Sequence, residues 1–212
     1  RDLFLAMRSF RKGRRIGDDT SWLRLMVPVS LRRIQQYRAS AANIVGAVFL
    51  TRRGLGMRDP DDLLSSLQRE MTQIKRLKLG HLFNFMLVAR RLLPGGLRRF
   101  TRPGGCQFSA VFTNIGKVLT GCPLPREDGR WICGNVILES TEAAAPIARN
   151  VCSSFSATWY ANRLSITLHH DPRAMSERAA AEMLSLFVHQ VRISAGVHET
   201  TEQDLPLHRA VS

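Results

Sequence analysis

Two adjacent histidines and an aspartate, His169-His170-Asp171, are the residues of this chain whose types and spacing best fit chemistry. Near pH 7 a neutral imidazole can take a proton from a hydroxyl group, provided that a fixed neighbour orients the ring. The alternative is that the three side chains are hydrogen-bonded structure with no catalytic role. The surrounding elements decide where these side chains can point.

The three residues lie where a strand is predicted to end and a helix to begin. Residues 163–170 alternate apolar and polar side chains, the pattern of a half-buried strand. Asp171-Pro172 ends the strand, because proline cannot donate to a ladder. Ser176 is a favourable first cap for the helix that follows. The alternation places His170 on the apolar side of the strand and His169 on the opposite side.

Length and composition allow a sizeable core but no membrane-spanning helix. The 212 residues are 44% hydrophobic, yet no window approaches 18 uninterrupted apolar residues. The chain begins inside an amphipathic helical pattern without a cap or a signal peptide, so we expect a fragment of a longer protein. Cys106, Cys122, Cys133 and Cys152 lack C-x-x-C or zinc-finger spacing. We therefore expect reduced, structural thiols in a cytoplasmic protein.

Positive charge is concentrated in the first half of the chain. Residues 1–102 hold 22 Lys/Arg and 7 Asp/Glu (+15), whereas residues 103–212 hold 9 and 10 (−1). This asymmetry favours an anionic partner, although an arginine-rich surface that is simply solvated is the alternative. Nucleic acid is disfavoured, because stacking aromatics and the usual recognition motifs are missing. The predicted anion-binding residues are Arg8, Arg11, Arg14, Arg15, Arg90, Arg91, Arg98 and Arg99.

The remaining patterns predict strands and helices in mixed order, hence an α/β or α+β layer architecture. Strands are expected over 22–32, 43–51, 108–116, 131–140, 151–160 and 163–170, the last four as mainly antiparallel neighbours. Helices are expected over 1–12, 62–79, 81–93 and 176–193. Asp59-Pro60 signals the start of the second helix, and Leu77 belongs to its predicted inner face. Pro28 should confine the second part of the first strand to an edge or a bulge. Ala161-Asn162 should form a short hairpin loop.

Several motifs resemble the condensation-domain superfamily, in particular its wax ester synthase and diacylglycerol acyltransferase branch. LRLMVPVSLR and AANIVGAVFL resemble the second half of that family, and DPDDLLSSLQREMTQIKR, FTNIG and RLSITLHHDPRAMSERAAAEML follow in the same order. The resemblance implies an α+β two-layer sandwich, a chloramphenicol-acetyltransferase-like lobe with a mixed, mainly antiparallel sheet covered by helices. It also implies that 1–212 is one C-terminal lobe of a two-lobe protein. Within that lobe, 1–102 is the basic half, 103–195 is the β-rich half with the final helix, and 196–212 is a tail.

The same resemblance implies an acyltransferase that moves an acyl group from a CoA or carrier thioester to an alcohol or amine. The family's HHxxxDG signature belongs to the other lobe, where the second histidine is the general base, and neither a metal nor a tightly bound cofactor is required. Here Ala174 and Met175 replace the aspartate and glycine of that signature. His169, His170 and Asp171 are therefore weak catalytic candidates, and we expect this chain alone to be inactive.

Other expectations follow from the resemblance. Asn114, Thr113 and Ser30 would line a substrate tunnel, although Asn114 could instead serve a left-handed turn with Gly116 and Ser30 could be structural. The expected partners are the N-terminal lobe of the same protein and acyl-CoA or an acidic carrier protein. A homotrimer with His170 as base between subunits is an alternative. The competing function is a non-catalytic module that docks an acidic carrier or an anionic membrane through its basic half, as a peripheral protein.

Overall fold

A computed structural model describes residues 1–17, 21–32, 44–94, 109–147 and 151–197 of the chain. The helices in these ranges are α1 (Asp2–Gly13), α2 (Pro60–Arg76), α3 (Gly80–Leu92) and α4 (Glu177–Ser194), and a 3-10 turn spans Gly54–Met57. The strands are β1 (Trp22–Ser30), β2 (Val45–Arg53), β3 (Ala110–Lys117), β4 (Arg126–Glu127), β5 (Arg130–Cys133), β6 (Val136–Ile137), β7 (Ser153–Tyr160) and β8 (Arg163–His170).

Five strands form one mixed sheet in the order β2-β1-β3-β7-β8. The β1–β2 and β7–β8 pairs are antiparallel, whereas β1–β3 and β3–β7 are parallel. The α+β class with a mixed sheet is thus confirmed. The expectation that β3 and β7 are antiparallel neighbours is wrong, because the long connection between them returns the chain to the same end of the sheet.

The predicted strand over 131–140 is also wrong. Residues of this stretch form β5 and β6, which pair with β4 in a separate three-stranded sheet. Gly134 has a φ of 61° and Cys133 pairs with Val136, so Gly134-Asn135 closes a two-residue hairpin. A glycine-asparagine pair between apolar residues is a turn signal that the alternation conceals.

One core joins both halves of the sequence. Strands β1 and β2 come from the basic half, and β3, β7 and β8 from the second half, yet their buried residues pack in the same cluster with α1, α2 and α4. Leu77, predicted to point inward, is 61% exposed, because α2 ends one residue before it. The cluster includes Phe4, Met7, Phe10, Leu23, Leu25, Leu50, Met57, Leu63, Phe155, Leu168, Met183 and Phe187.

Local signals place the element ends as predicted. The Asp59 carboxylate accepts hydrogen bonds from the backbone N–H groups of Asp61 (2.8 Å) and Asp62 (3.1 Å) at the start of α2. Ser176 Oγ accepts from Ala179 N at the start of α4. Ala161 and Asn162 both have positive φ (45° and 59°), which confirms the tight hairpin between β7 and β8.

Pro28 occupies a position where its missing N–H is tolerated. It pairs with Ala47 of β2, while β3 pairs with β1 through Leu25 and Met26. Beyond Met26, β1 pairs with β2 on one side of the strand. Pro28 therefore occupies an edge position, as expected for a residue that has no N–H to donate.

Helix α3 lies along the edge strand β2. Asn84 Nδ2 donates to Val45 O (3.2 Å), and the rings of Phe49 and Phe83 meet edge to face at 5.7 Å. At the start of α3 the backbone of Gly80 lies directly against Gly46. Asn84 thus supplies a donor to one backbone carbonyl of the edge strand.

Candidate functional site

The strand end that carries His169 and His170 separates the two imidazoles. His170 is 3% exposed, on the same side of β8 as the buried Leu168, and His169 points to the opposite side, as the alternation predicts. Within the described ranges, neither ring nitrogen of His170 has a hydrogen-bond partner. A general base must lie within hydrogen-bond reach of the proton that it takes, and the buried His170 ring has no such access.

His169 is held by a backbone carbonyl. Its Nδ1 lies 3.0 Å from Ala145 O, and because a carbonyl can only accept, Nδ1 is the protonated nitrogen. The same extended segment, 138–147, accepts hydrogen bonds from the hydroxyls of Ser156 and Tyr160 of β7. His169 therefore helps to fix this segment on the sheet, which is a structural task.

Asp171 organises the turn between β8 and α4. Its carboxylate accepts from the backbone N–H of Arg173 (2.9 Å) and from the guanidinium of the same residue (2.9 and 3.0 Å). These hydrogen bonds, from the side chain first and then the backbone, lower the pKa of Asp171. Because the carboxylate is engaged with Arg173 and not with either imidazole, the three residues do not form a histidine–carboxylate pair.

We expect the His170→Leu variant to be more stable than the parent, with a free energy of unfolding higher by about 1–2 kcal/mol. The substitution removes two buried polar atoms without partners and keeps a side chain of similar size. His169→Leu is the matched comparison, and it should be destabilising by about 1 kcal/mol because Ala145 O loses its donor. Urea unfolding measures both. A His170→Leu variant less stable than the parent would show that the imidazole has a partner in solution.

The predicted tunnel residues do not converge. Ser30 and Thr113 lie on one face of the sheet, whereas Asn114 follows Thr113 along β3 and faces the other way. Asn114 Oδ1 accepts from Gly116 N (3.0 Å) within a bulge, and β3 continues to Lys117. The strand predicted over 108–116 thus extends to Lys117, and the turn at its end begins at Val118, although Gly116 already adopts a positive φ of 72°. Ser30 Oγ accepts from Arg32 N at the end of β1.

A basic pocket lies at the end of α1. Its volume is about 310 Å³, and four cationic side chains line it: Arg8, Arg11, Lys12 and Arg15. The remaining wall consists of Ile16, Gly17, Ser21, Leu23, Gly54 and Met57. None of these described lining residues is acidic, and the four cationic side chains favour an anionic ligand of the size of a phosphate-bearing group.

Two of the arginines are positioned by backbone carbonyls. Arg8 Nη1 donates to Met57 O and Arg11 Nη1 to Trp22 O, each at 3.1 Å. Burial lowers the pKa of the Arg11 guanidinium, which nevertheless stays protonated at neutral pH. Fixed guanidinium groups bind phosphate and carboxylate oxygens more specifically than mobile ammonium groups. The arrangement can therefore hold an oxyanion in a defined orientation.

The predicted anion-binding set is only partly brought together. Arg8, Arg11 and Arg15 line the pocket, whereas Arg14 forms an ion pair with Glu182 of α4 (2.6 Å). Arg90 and Arg91 belong to α3, and Arg98 and Arg99 lie outside the described residues. The predicted anion-binding set did not include Lys12, and the sequence did not indicate that Gly17, Ser21 and Gly54 form part of the pocket wall. Glycines follow both α1 and β2 in the sequence, but only the fold shows that Gly17 and Gly54 line the same pocket.

The cysteines depart from expectation at one position. Cys152 is disulfide-bonded, whereas Cys122 and Cys133 are free thiols. The expectation of reduced thiols is therefore wrong for Cys152, and Cys106 lies outside the described residues. Disulfides are characteristic of oxidising compartments.

Among the described residues, no helix has the length and apolar character needed to cross a bilayer. No protein-family model matches the chain, and no curated protein is significantly similar to it.

Proposed function

We propose that this chain is one lobe of an acyltransferase that transfers an acyl group from a CoA or carrier thioester to an alcohol or amine. Its part in the reaction is to bind the phosphate-bearing donor in the basic pocket. The observation that carries the proposal is the convergence of Arg8, Arg11, Lys12 and Arg15 on one cavity. The resemblance of the motifs to condensation-type acyltransferases supplies the reaction class.

Phosphate recognition follows from the geometry of the pocket. CoA and the prosthetic arm of an acyl carrier both present phosphate esters next to the thioester-bearing arm, so one basic pocket suits both donors. Arg8 donates to Met57 O and Arg11 to Trp22 O, which fixes both guanidinium groups at the pocket wall, and guanidinium is the side chain best suited to phosphate oxygens. Lys12 and Arg15 are more exposed and add charge at the rim.

The catalytic base is assigned to the partner lobe. In this chain His170 is enclosed and His169 is engaged with Ala145 O, so neither imidazole is placed to deprotonate an acceptor. We therefore propose a division of labour in which this lobe holds the donor and the other lobe supplies the base. A cytoplasmic location belongs to this proposal.

Thiol release from acetyl-CoA and longer acyl-CoAs, with alcohol acceptors, tests the division of labour. We expect no turnover above the uncatalysed rate from this chain, because the base and the facing wall are missing. Turnover by the parent that is lost in His170→Leu would assign the base to His170 and contradict the proposal. Turnover that survives in His170→Leu would contradict it as well, since the lobe would then contain another base.

A further inference from the structure

Helix α3 exposes an apolar stripe that the described part of the chain leaves uncovered. The inner side of the helix packs on β2 through Phe83 and Asn84. On the outer side, Leu82, Phe85, Val88 and Leu92 recur at spacings of three, three and four residues, which places them along one face. Phe85 is 72% exposed and Leu92 is 81% exposed. Contiguous exposed apolar side chains of this kind mark an interaction surface.

The sequence on both sides of the stripe carries only positive formal charge. Residues 71–126 contain ten Lys or Arg and no Asp or Glu. Lys75, Arg76 and Lys78 precede α3 directly and are exposed, and Arg91 is exposed near its end. An apolar helix face bordered by cations complements a surface in which an anionic layer covers an apolar one.

We propose that α3 is an interfacial anchor that docks the protein on an anionic membrane, with Leu82, Phe85, Val88 and Leu92 entering the headgroup–acyl boundary. Helices with this distribution lie in the plane of the interface and bury their apolar face by a few ångströms. Membrane-binding helices combine such an apolar face with Lys and Arg beside it, and an acidic protein partner is an outcome that the vesicle experiment below separates from a membrane. The inference does not depend on the proposed acyltransferase activity.

The geometry of the fold supports a stable anchor. The helix has 13 residues and therefore extends for about 20 Å, and it is fixed to the sheet edge by the contact of Gly80 with Gly46. A preformed helix does not have to fold on the membrane, so less ordering entropy opposes binding. Each nearby Lys or Arg should add about fivefold to the affinity for an anionic surface.

Flotation with vesicles tests the anchor. The 212-residue chain should float with phosphatidylcholine vesicles that contain roughly one-third phosphatidylglycerol, and only weakly with pure phosphatidylcholine. Binding should weaken when NaCl is raised from about 0.05 M to about 0.5 M, because screening reduces the electrostatic attraction. No flotation, or equal flotation with neutral vesicles, would overturn the proposal.

Matched variants locate the surface. Leu82→Gln with Phe85→Gln should lower the vesicle affinity at least about tenfold, since two apolar side chains no longer enter the interface. Ile193→Gln on α4 is the control, because Ile193 and Leu82 are both 58% exposed. Lys75→Gln with Arg76→Gln should lower the affinity about 25-fold, whereas Arg163→Gln with Arg178→Gln removes equal charge from the second half and should have little effect.

The same variants distinguish other occupants of the stripe. Equal flotation of the parent and of the Leu82→Gln/Phe85→Gln variant would overturn the role of α3. So would a parent that sediments as a dimer while that variant is monomeric, because a second copy of the chain would then cover the stripe. A circular dichroism spectrum like that of the parent confirms that a variant is folded.

Discussion

The Gly46→Ala variant is expected to lose about 3 kcal/mol or more of its free energy of unfolding. A Cβ at position 46 would overlap the carbonyl of Gly80, which is backbone and cannot swing away. To remove this overlap, α3 must move away from β2. The Asn84–Val45 hydrogen bond and the Phe49–Phe83 contact would then be lost. Urea unfolding of the parent and the variant measures the difference.

Gly56→Ala is the matched control for this prediction. Gly56 lies in the turn after β2, has no heavy atom within 4 Å of an added Cβ, and does not have a positive φ. The substitution should change stability by less than about 1 kcal/mol and should be favourable if anything, because alanine restricts the unfolded chain. Equal effects of Gly46→Ala and Gly56→Ala would show that the close approach of α3 to β2 does not exist in solution.

The second large effect concerns the basic pocket. Lys12→Gln with Arg15→Gln should weaken the binding of CoA about 100-fold, because two charge-assisted interactions with phosphate are each replaced by weaker neutral ones. Both side chains are exposed at the rim, so the fold should persist. Isothermal titration calorimetry at low ionic strength measures the affinities.

Two comparisons make the pocket prediction specific. Arg163→Gln with Arg178→Gln has the same change in net charge and should bind CoA as the parent does. Lys75→Gln with Arg76→Gln should also leave CoA binding intact while it weakens vesicle binding, which separates the pocket from the α3 surface. A uniform loss of affinity in all three variants would indicate binding to overall charge and contradict a defined site.

The periodic elements of the fold could be predicted from the sequence because each carries its own local signal. Asp59 and Ser176 cap the helices that they were expected to start, and Leu3, Phe4, Met7 and Phe10 are buried together on α1. The parallel pairing of β3 with β7 has no local signal, since direction depends on the path of the intervening chain. The hairpin at Gly134-Asn135 had a signal that the apolar alternation outweighed.

For the candidate site too, local patterns predicted some features, and others depend on tertiary packing. Alternation along β8 correctly placed His170 in apolar surroundings, but it could not show that both ring nitrogens lack partners. The amphipathic pattern of α1 indicated Arg8, Arg11 and Arg15. That Arg14 pairs with Glu182, 168 residues away, and that Lys12 joins the pocket are consequences of tertiary packing.

The most direct test of the account is the affinity of this chain for CoA compared with pantetheine, which has the same thiol arm but lacks the phosphates. If the basic pocket holds the phosphates of the donor, CoA should bind at least about 100-fold more tightly than pantetheine. Its affinity should fall steeply between about 0.05 M and about 0.5 M NaCl. Equal affinities for the two ligands, or binding of neither, would contradict a phosphate-binding role for Arg8, Arg11, Lys12 and Arg15 and with it the donor-binding function.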